Sequence, residues 1–143
     1  RLLAEKRFAT EPTSPEEIHE LWAVIRRDLK DAAISENSTD RRFGISYDVA
    51  RGLAKLVARA DGYRVKGAGG EHYNTFQGLE AGLGPAVSPL CIYLDACRKK
   101  RNSITYDTLG HTSESEVERL LHEARQLARI VEEWLAVEHS ELF

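Results

Sequence analysis

The fold is decided by the stretch SESEVERLLHEARQLARIVEEWL, residues 113–135. It opens with a capping box, in which the side chains of Ser113 and Glu116 each bond to a backbone N–H of the other residue. Apolar side chains then recur every three or four residues, the spacing of one buried helix face. They are Val117, Leu120, Leu121, Ala124, Leu127, Ala128, Val131, Trp134 and Leu135. The stretch predicts a long amphipathic helix that packs against other helices.

Four further helices are predicted upstream of this stretch. Ser14-Pro15-Glu16-Glu17 supplies a capping box with proline at the first helical position. Ser38-Thr39-Asp40 offers caps for a second helix, which Asp61-Gly62 ends. A third helix is predicted over 71–83, and a fourth begins near Ser88-Pro89. Because no segment alternates apolar and polar residues with the period of a strand, the sequence predicts an all-α, up-and-down helical bundle of about five helices.

Length and charge limit the kind of protein this is. The 143 residues are enough for one core, so we expect a single domain over 1–143, with a poorly ordered stretch over 1–12 and a flexible connector over 66–70. A net charge of -3 excludes nucleic-acid binding through bulk positive charge, so any such contact must be local. No apolar run is long enough to span a membrane. A cytoplasmic protein without membrane contact is expected.

The chain lacks the common signatures of cofactor chemistry. It has no phosphate-binding glycine loop, no nucleophile elbow and no cysteine and histidine spacing suited to zinc. Cys91 and Cys97 would lie about 9 Å apart on one helix, beyond disulfide reach, so we expect two reduced, buried thiols. The sequence predicts no metal and no cofactor.

The fourth helix changes character partway along its buried face. At 100° per residue, several of its side chains fall within about 100° of one another, while Lys99 and Lys100 point away. The members of this face are Cys91, Leu94, Arg98, Arg101, Asn102 and Thr105. Because its apolar side chains give way to two arginines and an asparagine, those donors need partners.

Three kinds of partner would satisfy the arginines of this face. Acidic side chains of the same fold, such as Asp48, Asp95 or Glu118, would make a structural ion-pair network. A subunit interface would use the several directional bonds that a guanidinium makes. Phosphate groups would also be bound, since the planar fork of arginine bonds two phosphate oxygens at once.

The string RKKRNSITYD, from Arg98 to Asp107, resembles the RxxRNxxxYD signature of one bacterial branch of the HEPN family. Upstream, residues 42–50, 61–64 and 72–79 are similar to that branch in order and spacing. The resemblance covers roughly Thr39 to Trp134. It implies a HEPN-like helical bundle associated with nucleic acid, and a homodimer in which two copies of this helix meet at a cleft.

The resemblance also implies site residues. Catalytic HEPN ribonucleases pair an arginine with a histidine a few residues further along this helix. In this chain Tyr106 stands where that histidine could be, and a phenol with an ordinary pKa of about 10 is a poor base at neutral pH. His72, in the third helix, is the candidate accessory histidine.

Three functions remain open. In the first, the chain is a catalytically degenerate toxin, defence or regulatory component, whose Arg98, Arg101 and Asn102 bind RNA or nucleotide phosphates in a homodimer cleft. A nucleotidyltransferase-type antitoxin is the partner that the resemblance suggests. In the second, it is a metal-independent endoribonuclease in which Arg101 stabilises the phosphate, Tyr106 orients or donates a proton and His72 approaches from elsewhere. In the third, the polar face is a structural or protein-interaction element without a ligand.

Overall fold

The computed structural model describes residues 8–65, 71–106 and 112–143, although the side chains of residues 65, 71–75, 105 and 106 lie outside the description. Within these ranges the chain forms an all-α bundle of five helices, as the sequence predicts. The helices are α1 (Pro15–Ala32), α2 (Thr39–Ala60), α3 (Glu71–Leu83), α4 (Ser88–Tyr106) and α5 (Glu114–Glu138). Short 3₁₀ turns occur at Pro85–Val87 and Ser140–Leu142.

Helix α2 is the centre of the bundle. It packs against α1, α3, α4 and α5, and its buried side chains cover more than half of its circumference. Tyr47, Leu53 and Leu56 on this helix are fully buried. Because α2 touches every other helix, a side chain on its surface can pair with residues from several parts of the chain.

The helix boundaries follow the caps that the sequence predicts. The Ser38 hydroxyl accepts a hydrogen bond from the Arg41 N–H at 3.1 Å, and Ser113 and Glu116 form a reciprocal capping box. Ser14 likewise accepts from the Glu17 N–H at 3.2 Å. The predicted capping box at α1 forms only in this half, because the Glu17 carboxylate accepts hydrogen bonds from the guanidinium of Arg59 instead of the Ser14 N–H.

A small antiparallel sheet also forms, which the sequence did not predict. Strand β1 (Phe8–Thr10) pairs with β2 (Tyr63–Val65). The sequence predicts a poorly ordered stretch over 1–12, yet residues 8–12 lie against the bundle, and Phe8 is buried beside Gly78, where an added Cβ would come within 2.7 Å of its ring. Strands of three residues are too short to show a period, so their pairing depends on tertiary contacts. Residues 1–7 and the predicted connector 66–70 lie outside the described residues.

The two cysteines are free and buried, which confirms the prediction for them. Burial raises the pKa of Cys91 to about 11 and also raises the pKa of Cys97. Both thiols are therefore neutral at physiological pH, and they act as small core side chains rather than as nucleophiles.

The guanidinium of Arg59 ties the start of the chain to α2. Arg59 is only 4% exposed. It donates to the Glu17 carboxylate, with a shortest distance of 2.8 Å, and to the backbone carbonyls of Glu11 at 2.8 Å, Pro12 at 2.7 Å and Tyr63 at 3.0 Å. The hydrogen bond from Arg59 also holds the pKa of the Glu17 carboxyl below its ordinary value. One side chain thus joins α1, α2, β2 and the segment between β1 and α1.

A second buried arginine, Arg42, joins three helix ends. Its Nε donates to the carbonyl of Ala32 at the end of α1, at 2.9 Å, and its Nη1 donates to Glu114 at the start of α5, at 2.6 Å. Because Arg42 lies near the start of α2, it fixes the N-terminus of α5 close to this end of the central helix.

Replacing Arg59 by alanine should lower the free energy of unfolding by about 3 kcal/mol or more, because buried partners lose their donor. Urea denaturation followed by circular dichroism measures the loss. The matched control is Arg27→Ala, since Arg27 also pairs with a carboxylate but is exposed, and should cost less than about 1 kcal/mol. Equal losses in the two variants would show that Arg59 does not hold these segments together.

Candidate functional site

The second half of α4 carries a basic cluster, which we define as Arg98, Lys99, Lys100 and Arg101. Preceding turns of the helix bury Leu94 and Cys97 in the core. The arginines are neither buried nor free in solvent, since the Arg98 side chain is 25% exposed and that of Arg101 is 30% exposed. Side chains in this intermediate position can hold an internal partner and still reach a ligand.

The first three cations of the cluster pair with carboxylates of the same chain. Arg98 donates to Asp95, one turn earlier on α4, at 2.9 Å, and Lys99 lies 3.7 Å from the other oxygen of that carboxylate. Lys100 lies 3.0 Å from Glu116 in the first turn of α5. This pairing lowers the pKa of Glu116, after the larger effect of its bond to the Ser113 N–H. The cluster is therefore partly neutralised from within.

Two details of the predicted face are different in the structure. Glu116, rather than Glu118, is the acid of α5 that meets the cluster, because α5 presents its first turn to α4. The sequence predicts that Lys100 points away from the buried face, but the pairing with Glu116 draws its side chain against α5. The angular position of a side chain around one helix does not determine where a second helix packs. Asp48 and Asp95 are confirmed as partners.

Arg101 reaches from α4 to α2. Its Nη2 lies 3.0 Å from Oδ1 of Asp48, and its guanidinium carbon lies 5.4 Å from the centre of the Tyr47 ring. Both partners belong to α2, and Gly44, one turn earlier on that helix, would place an added Cβ 3.9 Å from Arg101 Nε. The guanidinium therefore lies along the surface of α2, over an aromatic face that favours a cation.

The carboxyl of Asp48 is held in an unfavourable environment for its charge. Burial raises its pKa, and nearby Asp28 of α1 adds to the shift, while Arg101 and Arg51 lower it without cancelling the effect of burial. The Asp48 side chain is nevertheless 38% exposed. The ionised form of Asp48 is thus paired with Arg101, but this pairing does not fully offset the loss of hydration on burial.

The charges of three arginines act on the phenol of Tyr47. Burial raises the pKa of Tyr47 to about 12, against the opposing charges of Arg51, Arg101 and Arg98. Tyr47 therefore remains neutral at physiological pH and does not serve as a base. Tyr47 is fully buried, and the sequence did not single out Arg51. The available signal was the placement of Tyr47 and Arg51 on one helix, with Asp48 between them.

The remaining predicted site residues are placed only in part. Asn102 is exposed on α4, and the backbones of Tyr106 and His72 lie in the last turn of α4 and the first turn of α3. The side chains of Tyr106 and His72 lie outside the described residues, as does Asp107.

Helices α3 and α4 do not bring His72 and Tyr106 to the same level. Cys91 donates to the Phe76 carbonyl, and Ser88 donates to Glu80, which sets an antiparallel register between the helices. Extending this register by helix geometry puts the first turn of α3 at the level of Asp95, which is eleven residues, or about 16 Å of helix, before Tyr106.

No family model, curated protein or solved structure matches the chain. Within 8–65, 71–106 and 112–143, no three His, Cys, Asp or Glu side chains are grouped so that they could hold a metal ion. No helix in those ranges is long and apolar enough to cross a membrane. The chemistry of the basic cluster and its surroundings is what supports a function.

Arg101→Ala should lower the free energy of unfolding by only about 1 kcal/mol, because both members of its ion pair with Asp48 are partly exposed. Urea denaturation measures the change, with Arg59→Ala as the reference for a buried arginine. A loss of about 3 kcal/mol or more would instead mean that Arg101 stabilises the bundle as a buried structural arginine does.

Proposed function

We propose that this chain is a HEPN-like domain of a toxin, defence or regulatory type that binds the phosphates of RNA. The contacts come from Arg98 and Arg101, with Asn102 beside them. The observation that carries the proposal is the state of Arg101. Its side chain is 30% exposed and its guanidinium is held over Tyr47, while its partner Asp48 is a carboxylate whose charge is disfavoured by burial.

Phosphate suits this arrangement chemically. A guanidinium presents parallel N–H groups that bond two oxygens of one phosphate, as they bond a carboxylate. Arg98 and Arg101 are three residues apart on α4, so they rise from the same side of the helix within about 4.5 Å of each other along its axis. Phosphate contacts of this kind give affinity without reading base sequence.

The negative net charge limits the predicted affinity for RNA and confines binding to the basic cluster. The chain carries -3 overall, and Asp48, Asp95 and Glu116 neutralise much of the basic cluster. Single-stranded RNA bound through two or three phosphates should lose affinity with added salt at a slope of about -0.7 per contact. A shallow salt dependence is thus part of the proposal, in contrast to proteins with broad basic surfaces.

RNA cleavage is not part of the proposal. Tyr106 stands where the resemblance implies a catalytic histidine, and a phenol with an ordinary pKa of about 10 is a poor base at neutral pH. A nucleotidyltransferase-type partner stays an expectation from the resemblance.

A structural role for the cluster is the second candidate. The specific observation in its favour is that each of the four cations lies within 4 Å of a carboxylate of the same chain. In that case Arg98 and Arg101 only fasten α4 to its own preceding turn and to α2. These residues would then contribute only to the stability of the fold, and a partner protein would carry the function.

Wild-type protein should bind a fluorescein-labelled single-stranded RNA in low salt, as measured by fluorescence anisotropy. The double variant Arg98→Ala, Arg101→Ala should bind at least about tenfold more weakly, because two charge-assisted contacts are lost. The matched control is Arg125→Ala, Arg129→Ala on the exposed face of α5, which removes the same charge and should bind like wild type. Equal weakening in both doubles would contradict a local site. Absence of binding by folded wild-type protein would favour the structural candidate.

The homodimer in this proposal rests on the resemblance and is testable by sedimentation equilibrium. Wild-type protein should sediment at twice the 16.1 kDa mass of one chain. Ile92→Asp is a control, because Ile92 is 74% exposed on the side of α4 opposite Arg101 and its replacement should leave a dimer that meets at the arginines intact. A monomeric wild type would rule out the dimer cleft.

A further inference from the structure

Asp48 stands in the position that a ligand of Arg101 would need. Its Oδ1 lies 3.0 Å from Arg101 Nη2, the distance of a charge-assisted hydrogen bond. A carboxylate and a phosphate offer the same pair of anionic oxygens to a guanidinium, so both compete for the same N–H groups. Any phosphate that binds Arg101 on this side must first displace Asp48 or approach it against its charge.

We propose that Asp48 is an internal competitor for the phosphate site, an autoinhibitory contact that holds Arg101 until RNA displaces it. The inference rests on the proposed function and adds its regulation. Arg101 then has two states, since it pairs with Asp48 of α2 in the free protein and with phosphate in the complex. The exchange between these partners lowers the observed affinity for RNA.

The surroundings of Asp48 make this contact displaceable. Facing it are Arg101 from α4, Arg51 from its own helix α2 and Asp28 from α1, and Arg98 acts on the adjacent Tyr47. Asp28 repels the Asp48 carboxylate, and burial disfavours its charge more than the arginines favour it. A partner held under these conditions is given up more readily than the Glu17 carboxylate, whose pKa is lowered by Arg59.

Acid should therefore open the site. Because the pKa of Asp48 is raised, the carboxyl takes up a proton at a pH above the ordinary aspartate value of about 4. A neutral carboxyl no longer competes for Arg101 as an anion. RNA affinity of the wild type should rise as the pH falls toward the pKa of Asp48, and this rise should be absent from a variant that has no carboxyl at this position.

The test measures binding of a fluorescein-labelled single-stranded RNA by anisotropy from pH 7.5 downward, for wild type, Asp48→Asn and Glu133→Gln. Asparagine keeps the shape of aspartate without its charge, so Asp48→Asn should bind about tenfold more tightly than wild type at pH 7.5. The advantage should shrink as the pH falls. Glu133 is exposed on α5, and Glu133→Gln changes the net charge equally, so it should bind within about twofold of wild type.

The outcomes separate this inference from the proposed function. If wild type binds RNA and Asp48→Asn binds no more tightly at any pH, the internal competitor is wrong while phosphate binding stands. If Glu133→Gln gains as much as Asp48→Asn, net charge explains the gain and the competitor is again wrong. If neither wild type nor Asp48→Asn binds at any pH, both ideas fail. All variants carry the same histidines, so comparison at each pH removes their titration, and the wild-type pH series does not depend on any variant folding.

Discussion

The structure depends first on one buried guanidinium, that of Arg59. Its donors satisfy carbonyls from the segment before α1 and from β2, together with the Glu17 carboxylate. Buried backbone carbonyls without partners cost free energy, and a short two-stranded sheet has little stability of its own. The arginine therefore allows the chain before α1 to lie against α2, and with it Phe8 joins the interior of the bundle.

Arg59 and Arg101 show how burial decides what an arginine does. Both pair with a carboxylate, yet Arg59 is almost fully enclosed, whereas Arg101 and Asp48 keep access to solvent. Enclosure makes the first pair a structural element, since breaking it leaves polar groups without water. Partial exposure makes the second pair exchangeable, because water or a ligand can take the place of either partner. The same chemistry thus supports the fold at one end of α2 and a candidate site at the other.

Helix α2 connects these two roles. It carries Arg59 near its end and Tyr47 and Asp48 nearer its start, and it contacts every other helix. Asp48 therefore lies among groups from α1 and α4. Burial, together with the like charge of Asp28, outweighs the arginines in setting its pKa. Within the basic cluster, Arg101 takes its partner from this neighbouring helix, whereas Arg98 and Lys99 pair with Asp95 of their own helix.

The sequence by itself determined the helices, because caps and a period of three to four residues are local signals. Ser38, Ser113 and Gly62 mark helix boundaries that the structure shares. Local signals also placed Arg98 and Arg101 on one face. Only the tertiary structure decided that Arg101 pairs with Asp48 over Tyr47, because a helical period describes the direction of a side chain and not the helix it meets. Burial likewise sets the charge preference of Asp48, and burial exists only once distant segments have packed together.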